Sequence, residues 1–128
     1  MAFVTAIVGT ALLLTGTDVE AFIIPFIGLN APQVMEGPPP VGQMVAWGAA
    51  GLVFAIGYVL QGIAVMRVGV LPRGAGGLLA VGGLVFGISA AASGMLPPVL
   101  LLGALLFGMA LAWIGYALWS DAQAGHAR

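Results

Sequence analysis

Few residues in this chain have the chemistry to do more than pack. Two carboxylates, Asp18 and Glu20, stand in Thr17-Asp18-Val19-Glu20, directly ahead of the apolar run Ala21-Phe22-Ile23-Ile24-Pro25-Phe26-Ile27. Buried in a membrane, such a pair would mark a proton or ion path. Thr-x-x-Glu before an apolar run also has the form of a capping box. The Thr17 hydroxyl would accept from the Glu20 amide, and the Glu20 carboxylate from the Thr17 amide. Asp18 would add negative charge to the first turn, where the helix dipole favours it. The two readings need different placements. In one, a crossing over residues 6–29 holds both carboxylates near the midplane. In the other, a second helical piece over 18–29 starts at headgroup level. The apolar runs offer no Lys or Arg to pair with the carboxylates, and uncompensated burial costs several kcal/mol. The interfacial, capping placement is the expectation.

Other polar side chains are scattered. Tyr58 and Gln61 lie toward one end of a long apolar run, and Ser89 and Ser93 in the next. They are candidates to line a polar path, or to bond backbone carbonyls within a bundle. Arg73, in Leu71-Pro72-Arg73-Gly74-Ala75-Gly76, is a candidate for a lipid phosphate or a partner's acid. An arginine in such a turn also sets topology by snorkelling to headgroups. Trp113, Tyr116 and Trp119 read as an interfacial belt. No nucleophile–base pair or metal-ligand set is present, there is no cysteine, and the one histidine is His126. The glycines around 74–83 follow no strand, so they make no dinucleotide site. The expectation is a chain that is not an enzyme, with no catalytic, metal or cofactor-binding residue.

Composition explains why so little polar chemistry is available. Of 128 residues 62% are hydrophobic and 5% charged, and the mean hydropathy is +1.18. A soluble domain carries about 25% charged residues. Here the apolar residues fall in runs of about twenty, the length that crosses a hydrocarbon core. Net charge is −1, without a basic cluster, so nucleic acid is excluded as a partner. The expected fold is all-α: an integral-membrane four-helix bundle forming one transmembrane domain over 1–128. Its crossings are placed at 2–29, 43–66, 74–95 and 97–119, with a polar tail at 120–128. The first helix is short or broken after Gly16, with the break near 16–18, and Pro25 should kink the second piece. Residues 2–14 lack the positive flank and small-x-small site of a cleaved signal, so they are read as retained. Residues 30–42 form a loop stiffened by Pro38-Pro39-Pro40. Arg67 and Arg73 share one short loop, which places that loop, and both termini with it, in the cytoplasm at the plasma membrane.

Small residues recur four apart, at Gly51/Ala55, Gly83/Gly87, Gly87/Ala91, Ala104/Gly108 and Gly108/Ala112. Such pairs let helix backbones approach, within one chain or between copies. Gly51-Leu-Val-Phe-Ala-Ile-Gly57, Gly83-Leu-Val-Phe-Gly-Ile-Ser89 and Ala104-Leu-Leu-Phe-Gly-Met-Ala110 echo one another. Their unequal spacing makes this a re-used packing pattern and not a tandem repeat. The turn Gly69-Val70-Leu71-Pro72-Arg73-x-Ala75-Gly76, with the later Trp113-Ile-Gly115-Tyr116-Ala-Leu-Trp119, resembles small uncharacterised multi-pass membrane proteins of bacteria and archaea. In these a Leu-Pro-Arg-Trp-Ala-Gly-like turn joins two helices; Gly74 stands here where Trp is expected. The resemblance covers residues 51–119 and implies fold, not activity. The leading expectation is a non-catalytic structural or accessory component, in contact with the bilayer and with its own copies or a larger membrane complex. The alternative is a small transporter or channel using Asp18 and Glu20.

Overall fold

A computed structural model describes residues 1–38, 40–92 and 97–126. These residues form α1 (Ala2–Asp18), a π-helical turn (Val19–Ile23), α2 (Ile24–Asn30), a 3-10 turn (Pro32–Met35), α3 (Val41–Val68), α4 (Arg73–Ala91) and α5 (Pro97–His126). α1, the π turn and α2 run on as one helix, Ala2–Asn30. Four helices are therefore long and apolar enough to cross a membrane. The protein is an all-α membrane protein, as its sequence predicts.

The expected break at 16–18 does not occur: α1 runs unbroken through Asp18, the change in helix geometry falls at Val19–Ile23, and the chain does not leave the helix. A proline lacks an amide hydrogen, and its ring crowds the carbonyl four residues back. For Pro25 that carbonyl belongs to Ala21, inside the π turn. The Ile24 amide reaches back five residues to the Val19 carbonyl, which opens the helix where the proline needs room. The capping box does not form. The Thr17 hydroxyl instead donates to the Leu13 carbonyl at 3.0 Å. Thr5, Thr10 and Thr15 make the same bond one turn back. With the helix unbroken, the amides near Thr17 are already bonded, and the hydroxyl turns to its own backbone.

Each later boundary has a local cause. Pro40 and Pro72 stand immediately before the first residues of α3 and α4, with extended ψ angles of 138° and 123°. α3 ends at Gly69, whose φ of 72° is left-handed, a conformation that a glycine adopts without steric cost. α5 continues through the polar stretch after Trp119 to His126. Of the proline triplet, Pro39 lies outside the described residues, as do Ser93, Gly94 and Arg128.

The long helices pack in chain order, α1 on α3, α3 on α4 and α4 on α5; no backbone contact joins α1 to α4 or α5 among the described residues. The bundle is thus a curved row one helix thick. Its accessible surface, 8334 Å², exceeds the about 6,300 Å² of a compact soluble monomer of this mass. The core is small: Leu13, Ala50 and Phe54, with Trp47, Tyr58, Phe86, Ala90 and Phe107 packed against it.

α3 and α4 meet backbone to backbone at two places. Gly51 lies on the Gly87 carbonyl and on Ala91, and Gly87 lies on the Gly51 carbonyl and on Ala55. About three helical turns further along this seam, Gly62 faces Gly76 and Ala80 in the same way. The pairs Gly51/Ala55 and Gly87/Ala91 are therefore spent inside one chain. A Cβ at Gly87 would stand 2.6 Å from the Gly51 carbonyl oxygen. Gly87→Leu is expected to destabilise the fold by at least about 1–3 kcal/mol in reversible detergent unfolding. At Gly48 nothing stands within 4 Å, and Gly48→Leu should change stability by less than about 0.5 kcal/mol. Equal effects at the two positions would refute this packing.

Candidate functional site

The three echoed segments meet. Phe54, Phe86 and Phe107, the phenylalanine of each, form one ring cluster with Tyr58. Phe54 lies 4.5 Å from Tyr58 and 5.4 Å from both Phe86 and Phe107, and Tyr58 stands edge-on to Phe107 at 4.6 Å. The cluster ties α3, α4 and α5 together across the row. Glycines of neighbouring helices let the backbones close around it: Gly9 faces the Phe54 backbone, Gly82 that of Phe107 and Gly103 that of Phe86.

Tyr58 also reaches α1. Its hydroxyl is 3.0 Å from Thr10 Oγ1, and Thr10 gives its own proton to the Ala6 carbonyl at 2.8 Å. The Tyr58 hydroxyl is therefore the donor between them. Tyr58 serves as a clasp between two helices and bonds a side chain, where the sequence suggested a backbone carbonyl or a polar path. Gln61 is half-buried on α3, and Ser89 is buried on α4.

The five candidate residues do not converge. Opposed contacts set their heights along the row. Gly9 is level with Phe54 and Gly16 with Trp47, while Ala91, at the end of α4, is level with Gly51. The first helix therefore passes the end of α4 between Gly9 and Gly16. Asp18, Glu20 and all of α2 lie past it. α4, at 19 residues, spans about 28 Å, close to the thickness of a hydrocarbon core. Asp18 and Glu20 thus lie past the level at which α4 ends. Both are exposed, and neither makes an ion pair or side-chain hydrogen bond among the described residues. Tyr58 sits at mid-height. Arg73 is exposed at the opposite end, in the first turn of α4, with Arg67 in the last turn of α3. The Trp113 indole lies beside Gly74 at this arginine end, and Tyr116 pairs with Trp119 at 6.2 Å.

What the structure does build is a cavity of about 720 Å³ at the carboxylate end. The first helix contributes Leu12, Gly16, Val19, Ile23, Ile24 and Ile27; α3 contributes Gln43, Ala46, Trp47 and Ala50; Val34, Gly37, Pro38 and Pro40 line it from the connection. Trp47 lies against Gly16. Its ring fills the space that a side chain at 16 would take, and this contact seats the floor of the cavity. Asp18 and Glu20 flank Val19 in the chain, and Glu36 precedes Gly37, so three of the four acidic residues border cavity-lining positions. Polarity drew attention to the two carboxylates. The lining itself is ordinary apolar sequence with no signal of its own, apart from the prolines that turn the chain back over it.

Comparison with family models, with curated proteins and with solved structures gives no match to this chain.

Two substitutions test this geometry. Tyr58→Phe keeps the ring cluster and removes the α1–α3 clasp. The expected loss is about 0.6 kcal/mol, the usual worth of an interhelical bond in a membrane protein. Glu20→Gln should shift stability by less than about 0.5 kcal/mol; a loss nearer about 1 kcal/mol, typical of a removed cap, would restore the capping box.

Proposed function

We propose that the protein is a non-catalytic structural or accessory membrane component that works by lateral assembly, and that its partner is a second copy of itself along α5. The two faces of α5 carry this reading. Its inward face follows a seven-residue pattern against α4: Gly103 and Ala110 are buried, Phe107 enters the ring cluster, and Ile114 and Ala117 are half-buried. The opposite face repeats the pattern outward. Leu101, Leu105, Gly108, Ala112, Gly115 and Trp119 alternate in steps of four and three, and all six are exposed. That spacing is the seam of a left-handed helix pair, with small residues where backbones come closest. Nothing stands within 4 Å of Gly108 or Gly115, whereas Gly103 and the glycines of α4 from 82 to 87 meet a neighbouring helix. α5 ends the row, so a two-fold axis along the membrane normal brings α5 against α5 at equal height. Such an isologous contact matches leucine to leucine and indole to indole. The seam runs about 27 Å, a full crossing, and carries no charge.

The orientation proposed with this assembly places the Arg67–Arg73 turn and both termini in the cytoplasm, following the basic residues.

Gly108→Leu and Gly115→Leu are expected to leave the unfolding midpoint unchanged while converting the purified dimer to monomer, read as mass in detergent by light scattering. A wild-type monomer, or dimers that survive both changes, would defeat the proposal. Because the chain has no cysteine, Val70→Cys reports orientation alone. An impermeant thiol reagent should fail to label it in intact cells and succeed after lysis.

A further inference from the structure

We infer that the cavity between the first helix and α3 holds one acyl chain of a phospholipid whose headgroup carries a cationic nitrogen, in the leaflet opposite the arginine turn. The cavity lies against the first helix and α3, the edge of the row away from α5, so this inference is independent of dimer formation.

The lining states what enters. Ile23, Ile24, Ile27 and Trp47 give hydrocarbon and aromatic surface, with Thr15 and Gln43 the polar side chains among them. The Thr15 hydroxyl already donates to the Ala11 carbonyl at 3.0 Å. The site thus offers almost nothing to a polar ligand, and its volume of about 720 Å³ falls in the range that takes a small molecule or chain. The lining begins at Leu12 and Ala50, near the end of α4, and rises past it. Past the end of α4 only the first helix, α3 and their connection flank this space among the described residues, so a chain can enter from the side.

The rim selects the headgroup. Asp18, Glu20 and Glu36 are exposed and each adjoins a cavity-lining residue. None has an ion-pair partner among the described residues, and Arg67 and Arg73 are at the far end of the row. Three carboxylates bordering one cavity attract an ammonium and repel an anionic lipid.

The test is lipid retention by the purified full chain, using native mass spectrometry after exchange into micelles with equal amounts of dioleoyl phosphatidylethanolamine and dioleoyl phosphatidylglycerol. One phosphatidylethanolamine should be retained per chain, at least about fivefold over phosphatidylglycerol, the ratio expected from one engaged charge. Ala46→Trp, which fills the cavity from an exposed position on α3, should abolish retention; Ile27→Trp fills it from the other side and serves if the first variant does not fold. The triple change Asp18→Asn, Glu20→Gln, Glu36→Gln should keep one lipid bound and reduce the preference to near unity. Equal retention of the two lipids by the wild type would overturn the headgroup assignment. Retention undiminished in a folded cavity-filling variant would overturn the site, as would displacement of lipid by a second protein chain in the same spectra.

Discussion

Backbone contact between α3 and α4 is the constraint on which the rest of the structure depends. In lipid, moving an apolar side chain from solvent to a helix interface gains little, because the solvent is itself hydrocarbon. What remains is dispersion at close range, which falls away steeply with separation. The chain meets this demand with glycine at the contact points. Gly51 against Gly87 and Gly62 against Gly76 let two carbonyl-bearing backbones touch. The seam fixes α3 and α4 along most of the shorter helix, and the other two helices are placed relative to it.

From that seam the ring cluster follows. With α4 thin at Gly82 and Gly83, Tyr58 and Phe107 come within 4.6 Å of each other across it. A bulkier α4 would hold α3 and α5 too far apart for their rings to meet. The same tyrosine then clasps α1 through Thr10. One residue on α3 thus links the glycine seam to both edges of the row, by aromatic contact on one side and by a hydrogen bond on the other.

A row one helix thick leaves two edges, and they differ. The α5 edge offers a straight face of small residues framed by leucine and tryptophan, shaped for another helix. The α1 edge carries a helix that overshoots its neighbour, opens into a π turn under the influence of Pro25, and leaves space beneath it. A flat helix face and a hollow with charged borders call for different occupants. Assigning a second chain to one and a lipid to the other follows from shape and charge at each edge.

The sequence by itself determined that lipid surrounds this protein, since a chain with 5% charged residues and four runs of crossing length has no other solvent. It also determined where helices start and stop, because Pro40, Gly69 and Pro72 act within a turn of themselves. It showed the likeness of the segments around Phe54, Phe86 and Phe107. It did not show that these rings meet, because that depends on which helices are neighbours and at what height. Thr17 and Glu20 show the limit most plainly: their spacing satisfies a capping box, but such a box forms only where a helix begins. Whether one begins there was settled by Pro25, the π turn and the packing of Gly16 on Trp47. Tertiary structure likewise decided which glycines are spent inside the chain and which face outward, for Gly87 and Gly108 look alike in sequence and differ only in what stands opposite them.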